Sequence, residues 1–508
     1  MKRQDFIKQL GLLSSGTMLS MGGIQVKALA ANPFHVDIEG TDGKILVLLQ
    51  MQGGNDGLNT IVPIEDAKYY NARTTVNIKK AQALRLKNTV GLHPSMYGFK
   101  SLFDANKLSI IQNVGYAQPD RSHFRSTDIW LSGSDSKQQL FEGWVARFLE
   151  SQNPSYPSSL PNEPMAIQLG SVESMLLQGK FGSLGTVFED PNLFYQLISG
   201  SKVDNDPPPN TVAGEELKFL RQIANASIQY SETIKAKADL GKNTQTYPNT
   251  NLGRQLGIVA KLISGGLKTP VYLTTINGFD THANQLTAHS NLLKQVSEAV
   301  TVFQNDIEIL GLADKVTLMT FSEFGRRLKE NGTSGTDHGT AAPIFVIGKT
   351  VKGGIIGSNP NLSDLDSSGD PKFEFDFRQI YSSIIGDHFG HSSELAKDIL
   401  LKDFNKLPIF KGAESAISSE NSISLSQNNP NPVRNFTNIN YSTSIRQHLK
   451  IFVIDLKGKV IAVLKDEIHA AGSYSLPFSA VDLPEGIYAY SLLAGNGDQK
   501  TLRMIVAK

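Results

Sequence analysis

The stretch KILVLLQMQGGNDGLNTIVP, starting at Lys44, is apolar without a break from Ile45 to Leu49 and then stops in Gly53-Gly54-Asn55-Asp56-Gly57. A strand with one face in water alternates apolar and polar residues. A strand that is apolar at every position must be covered on both faces, as in a parallel sheet. The pattern recurs in LSIIQNVG (108–115), VYLTTING (271–278), KVTLMTFSEFG (315–325) and PIFVIG (343–348). Helical periodicity fills the intervals. It is clearest in HSNLLKQVSEAVTVFQNDIEIL, where Leu293, Val296, Val300, Phe303, Ile307 and Leu310 share one face. Strands alternating with helices predict an α/β fold, a mostly parallel sheet sandwiched by helices. The polar clusters that end the runs then fall beyond strand C-termini, where ligands bind in such sheets.

A chain of 508 residues accommodates two or three domains, and 40% hydrophobic with 19% charged residues can bury a sizeable core. Lys plus Arg number 49 and Asp plus Glu 48, so no basic excess points to a nucleic-acid partner. The absence of cysteine excludes disulfides, thiolate metal sites and cysteine nucleophiles. Any metal must be held by His, Asp, Glu, Asn or hydroxyl groups. Residues 1–30 have a basic start, a modestly apolar middle and the ending Ala28-Leu29-Ala30, which reads as a signal peptide. Within it RQDFIK resembles the core of a twin-arginine signal, with Gln4 where the second arginine belongs, so the twin-arginine and general routes both stay open. No later run of about 18 or more apolar residues exists, so no membrane span is expected once the signal is removed.

Near residue 410 the composition changes. AESAISSENSISLS (413–426) is Ser-rich and reads as a linker. Beyond it HLKIFVIDLKGKVIAVLK predicts two strands around a Lys-Gly turn. GSYSLPFSA, EGIYAYSLLAG and KTLRMIVAK predict further short strands of a small all-β sandwich. The expected division is a signal at 1–30, an α/β domain at 31–411, a linker at 412–424 and the sandwich at 425–508. The tail resembles the type A sorting domain of the type nine secretion system of Bacteroidetes, through QNNPNPVRN at its start, the DLKGKVI hairpin, LPEGIYAYSL and the close LRMIVAK. The resemblance implies the type nine machinery as partner. It also implies export through the periplasm to the cell surface or medium, usually followed by removal of the tail. A carbohydrate-binding or adhesive sandwich is the competing reading.

Four polar clusters follow strands in the large domain: GGNDG (53–57), RSHFRSTDIWLSG (121–133), GFDTHANQ (278–285) and SEFGRR…TDHGT (322–340). Together they supply Asp56, Asp280, His282, Asp337 and His338 as candidate metal ligands, a set suited to one or two zinc or manganese ions. In SGTDHGT (334–340) the glycines let the backbone bend so that Asp337 and His338 converge; a solvated turn or an Asx-type cap is the bland alternative. Ser122 stands before a helical stretch, where it is either a nucleophile in the field of the helix N-terminus or a simple N-cap.

These clusters resemble the alkaline phosphatase superfamily. TDHGT is similar to its Asp-His-Gly motif, and Asp280 with His282 to the pair that holds the other metal, although at i, i+2 rather than i, i+4 spacing. SHFRSTDIWLSG is similar to the nucleophile helix, which implies Ser122 as nucleophile and Trp130 to Gly133 as the helix end. LLQMQGGNDGLNTIVP, LHPSMYGFKSLF, RSHFRSTDIWLSG, GFDTHANQ and SEFGRRLKENGTSGTDHGT further resemble an exported bacterial family known only as domain of unknown function fifteen-oh-one. The superfamily implies a further histidine ligand, for which His123 is the first choice over His93 and His388. Arg125 and Arg326 are candidates for binding a phosphate or sulfate group. Glu323 is a candidate ligand or arginine partner, and Asn55 a partner of Asp56. Formylglycine sulfatase chemistry needs Pro or Ala at +2 and Arg at +4 from the modified residue, and Phe124 and Ser126 stand there instead. The expected function is metal-dependent hydrolysis of phosphate or sulfate esters, small or polymeric. The alternative is a non-catalytic surface protein that keeps the fold and binds.

Overall fold

The computed structural model describes residues 19–21, 24–26, 42–412 and 423–508, apart from 88, 157–158, 181, 200, 202–205, 207–208, 210, 444–446, 456–458, 470–471 and 495–498. The predicted signal peptide lies outside the described residues except for two short strands, Leu19–Met21 and Ile24–Val26, which pair antiparallel. The chain divides into a large unit, Met1–Glu414, and a small one, Ser415–Lys508.

The apolar runs become the strands of one nine-stranded sheet. In chain order these are β1 (Ile45–Gln52), β2 (Leu108–Gly115), β3 (Ala166–Leu169), β4 (Gly185–Phe188), β5 (Val271–Asn277) and β6 (Val316–Phe321). A ribbon of β7 (Arg326–Glu330) and β8 (Thr336–His338) follows outside the sheet, and β9 (Ala342–Ile347), β10 (Gly354–Ile356) and β11 (Phe375–Asp376) complete it. The order is β4-β3-β5-β1-β6-β9-β2-β10, with β11 also on β2. All pairings are parallel except those of β9, which is antiparallel to both β6 and β2. The reason is local: the chain leaves β6, makes the ribbon and returns directly, without the crossover helix that a parallel neighbour needs.

The unbroken apolar runs are explained by covering on both faces. Alternate residues of a strand point to opposite sides. Leu46 and Leu48 enter one core with Trp130, Trp144, Phe377 and Tyr381. Ile45, Val47, Leu49 and Met51 enter the other with Val259, Val296 and Phe303. Each such buried side chain contributes about 1.5–3 kcal/mol. Two of the covering helices, Asn251–Ser264 and Gln285–Ile309, present the second core's residues, and in the latter Leu293, Val296, Val300, Phe303 and Ile307 are buried as their spacing predicts. Strands β1, β2, β5 and β6 all end at the same edge, so the loops that follow them meet there.

In the small unit the strands of both sheets pair antiparallel. One sheet holds Ile423–Leu425, Phe436–Thr443 and Gly472–Ser479; the other holds Val460–His469, Gln447–Ile454, Gly486–Ala494 and Gln499–Val506. Val433, Ile439, Val453, Tyr490 and Met504 are buried between them. The predicted linker lies outside the described residues except for Gly412 and for Ile423 and Ser424, which already belong to the first strand.

Candidate metal centre

At the C-terminal edge of the sheet four side chains converge. His123 opens helix α1 (His123–Ser132), which follows β2; Asp280 and His282 lie in the loop after β5; His338 ends β8. The Nε2 atoms of His282 and His338 are 2.9 Å apart. Asp280 Oδ1 lies 3.0 Å from His282 Nε2, 3.3 Å from His338 Nε2 and 3.4 Å from His123 Nε2.

The outer nitrogen of each ring is fixed by an acceptor. His123 Nδ1 is 2.7 Å from Glu323 Oε1, His282 Nδ1 is 3.2 Å from Asp337 Oδ1, and His338 Nδ1 is 2.8 Å from the backbone oxygen of Arg121. A ring whose Nδ1 donates to such an acceptor turns its Nε2 lone pair inward, the form in which histidine binds metal. Two lone pairs 2.9 Å apart repel unless a cation lies between them. His123 Nε2 is also buried without a hydrogen-bond partner among the described residues. An orphaned buried acceptor costs about 1–3 kcal/mol, which a bound cation removes. Donors of a tetrahedral ion bound at about 2.0–2.1 Å lie about 3.3 Å from one another. The four distances above, 2.9 to 3.4 Å, lie close to this value, and His123, Asp280 and His338 have ligand atoms within 4.8 Å of one another; the N₃O chemistry of these three and His282 suits zinc or manganese.

Arg326 fixes the carboxylate. It is fully buried, and its guanidinium donates to the backbone oxygens of Gly54 (2.7 Å), Thr336 (2.9 Å), Phe279 (3.1 Å) and Gly53, and to Asp280 Oδ1 at 2.6 Å. Its Nη1 also stands 3.5 Å from His282 Nε2, at the limit of hydrogen-bond reach. Burial raises the Asp280 pKa, but the hydrogen bond and charge of Arg326, with His282 and His123, more than offset this and hold it down at about 2. The carboxylate is anionic across the physiological range, as a ligand must be. Two glycines permit this close packing of loops. A Cβ at Gly53, whose φ is +119°, would collide with the backbone of Asp280, and one at Gly335 with the backbone of His282.

The candidates from sequence divide. Asp280, His282, His338 and His123 are brought together. Asp337 is not a fifth inward donor, because TDH is a strand rather than a bend, and neighbours on a strand face opposite ways. Its carboxylate reaches the back of His282 instead. Asp56 is also outside the cluster. Its oxygens accept from Arg73 at 2.6 and 3.0 Å and from Gln285, all within the protein interior. Burial pushes its pKa up, and Arg73 more than offsets that, so the acid stays ionised as a structural ion pair. Asn55 is buried and accepts from Thr60 Oγ1.

His93 and His388 are interior residues. Burial holds each at about 4, and His388 bonds the backbone oxygen of Ile45, at the opposite end of the sheet. Arg326 serves backbone and Asp280 rather than an exposed anion. Arg125 likewise binds the backbone oxygens of Ser136 (3.0 Å) and Gln138 (2.5 Å). Ser122 is exposed at the N-cap of α1 and makes no side-chain cap bond. Glu323 is buried, accepts from the Gly53 backbone N–H at 2.9 Å, and orients His123. Three residues the sequence reading missed are Arg73, Arg121 and Arg327. A single arginine carries no spacing signal, and the only cue was the adjacency of Arg121 to SHF and of Arg327 to Arg326.

A mostly parallel α/β sheet with a three-histidine, one-aspartate cluster at its carboxyl edge is the class that fold and geometry define. Residues 231–399 match the family described as "Protein of unknown function (DUF1501)", and residues 429–507 match the "Secretion system C-terminal sorting domain". Each match falls on a part of the chain where the sequence resembles that family. The first match includes Asp280, His282, Asp337 and His338 and begins after His123. No curated protein matches the chain. Solved structures similar to it include a protein in the alkaline phosphatase superfamily from Vibrio parahaemolyticus, at 9% identity and a TM-score of 0.34, covering 99% of this chain and 91% of that one. A sulfatase from Pseudoalteromonas sp. aligns at 10% identity and a TM-score of 0.32, over 86% of this chain and 84% of that one. The alkaline phosphatase from the Antarctic bacterium TAB5 aligns at 10% identity and a TM-score of 0.25, over 60% and 92%. Among the described residues no helix is long and apolar enough to cross a membrane.

Proposed function

We propose that the large unit hydrolyses phosphate or sulfate esters with one divalent ion, zinc or manganese, held by His123, His282, His338 and Asp280. The observation that carries this reading is the inward convergence of three Nε2 lone pairs, each fixed by an acceptor on its Nδ1. When bound, the ion neutralises charge that develops on the ester oxygens. Glu323, Asp337 and the Arg121 carbonyl hold the rings in the tautomer that binds it, and Arg326 holds Asp280. Ser122, uncapped and exposed beside His123, supplies the attacking hydroxyl. Its oxygen displaces the alcohol, which leaves with the proton the serine gives up, and water then releases the inorganic acid and restores the serine.

The small unit serves as the export address. It engages the type nine secretion machinery, and the protein passes through the periplasm to the surface or medium. A second reading, a surface protein that binds without cutting, is favoured by the finding of one cluster among the described residues, since two-metal ester hydrolases hold a pair of ions about 4 Å apart. The test is zinc- or manganese-loaded full chain against a panel of phosphate and sulfate esters. We expect turnover that Ser122→Ala reduces at least 100-fold with metal content unchanged. Loaded protein that turns over nothing on the panel supports the binder, and full activity in Ser122→Ala removes the serine from the chemistry.

A further inference from the structure

Each of the two sheets of the small unit turns one face to the core and one outward, and the outward faces differ in kind. In the sheet that holds Phe436–Thr443 and Gly472–Ser479, the outward pairs include Asn440 with Ser475 and Ser442 with Ser473. Polar residues there are what a sheet with one face in water requires. The other sheet breaks this rule. Its central strand Gln447–Ile454 buries Leu449, Ile451 and Val453 in the core, so Phe452 and Ile454 point outward. Directly opposite residues of an antiparallel pair share a face. One outward row therefore runs Val460, Ile454, Ala489, and the next runs Val463, Phe452, Ser491. Ile487, two residues before Ala489, continues the same face.

Val460 is 47% exposed, Val463 51% and Ile487 40%. Scattered apolar side chains on a surface are ordinary, but adjacent rows of them mark a surface that meets something. The sandwich does not need this face for folding, because its core lies on the other side, around Val453, Tyr490 and Met504. Polar groups border the patch. Lys450 pairs with Asp466 at 3.0 Å beyond the Val463 row, and Arg503 ends the Val460 row. An apolar centre within a polar rim is the anatomy of a protein-binding surface. Aliphatic rows offer no donors or acceptors to a hydroxyl-rich ligand, which makes a sugar a poor occupant.

We infer that this outward face, built on Val460, Val463 and Ile454, is where a protein of the secretion machinery holds the small unit through an apolar surface of its own. The occupant follows from the match of residues 429–507 to a secretion-system sorting domain, a span that contains the whole face. The inference rests on the export-address reading of the small unit and deepens it by naming the surface that is read.

Export of the full chain from cells that carry the machinery tests it, with the exported and retained fractions measured together. Val460→Lys and Val463→Lys each place a charge at an exposed strand position and leave the core untouched. Each should cut the exported fraction roughly tenfold or more, because a charge pressed against an apolar partner goes unpaired. Asn440→Lys, on the polar face, should be exported like wild type. Wild-type export of both valine variants overturns the face, and so does an equal loss in Asn440→Lys, since added charge anywhere would then suffice. Should the lysine variants not fold, Val463→Thr decides, because it keeps the branched shape and strand preference. It should lose part of its export, and full export counts against the face. Met504→Asp, in the core of the small unit, separates the face from the reading beneath it. Export of that chain at the wild-type level defeats the export address and the face with it. Its retention beside full export of the valine variants defeats the face alone. Sedimentation of the purified full chain checks the other occupant: a dimer that Val463→Lys makes monomeric gives the face to a second copy and overturns the proposal.

Discussion

Two charged clusters share the carboxyl edge of the sheet, and they are built on opposite principles. Around Asp56 everything is closed. Arg73 spends its donors on Asp56, on Asn59 at 2.7 Å, and on the backbone oxygens of Arg327 (2.7 Å) and Leu328 (2.9 Å). Around Asp280 the carboxylate side is closed by Arg326, but three ring nitrogens are left facing each other. Gln285 joins the clusters, donating to Asp56 and accepting from Thr336 Oγ1 at 2.6 Å. The difference teaches what separates a structural ion pair from a ligand set. The first is satisfied from within, and the second keeps ring nitrogens turned towards the place proposed for an ion.

The largest expected effect breaks the closed cluster. Arg73→Ala leaves Asp56 charged, buried and unpaired, and should cost about 3–5 kcal/mol in urea unfolding. A loss below about 1 kcal/mol would mean that Asp56 is not committed to structure. The open cluster should behave in the reverse way. His338→Ala should unfold like wild type in chelator, yet lack the gain of about 2.7 kcal/mol that wild type shows at zinc one hundred times its Kd. Equal zinc stabilisation of both proteins would end the case for this ligand.

A subtler probe is Glu323→Gln, which leaves all four ligands in place and weakens the hold on His123. Zinc affinity measured by competition should fall about 10–100-fold. The smallest effect is a slope. His93 and His289 are held at about 4 and about 3 by burial, below the ordinary imidazole value near 6.5. Such groups bind protons more readily when unfolded, so the stability they share is complete above about pH 6.5 and drains as pH falls towards 4. The loss is at most about 1.4 kcal/mol per pH unit for each, and His93→Gln should make the measured slope shallower.

Much of this was legible in advance. Apolar runs at Ile45, Leu108, Val271, Val316 and Ile344 all became sheet strands, because two-sided burial writes itself into every residue. The short strands Ala166–Leu169 and Gly185–Phe188 carried no comparable run. Asp280, His282 and His338, singled out by clustering after strands, do lie together, whereas Asp56, singled out the same way, lies against Arg73, and Asp337 lies behind His282. Residue type cannot say which way a side chain faces or which partner reaches it first. The arginines make the same point at the scale of one residue. Arg326 faces inward and its neighbour Arg327 lines an open cleft beside His282 and His338, since β7 alternates.

The four proposed ligands come from residues 123, 280, 282 and 338, at a helix start, in a loop and at a strand end. No contiguous fragment shorter than most of the large unit contains them all. Closing such long intervals costs chain entropy that only the assembled sheet repays. Metal uptake would therefore be a late event, after the strands have found their order. A partly folded chain, whether emerging from synthesis or threading an export pore, offers the ion only isolated histidines. The ion would be drawn from whichever compartment the protein folds in, and a loaded centre would certify that the sheet is complete.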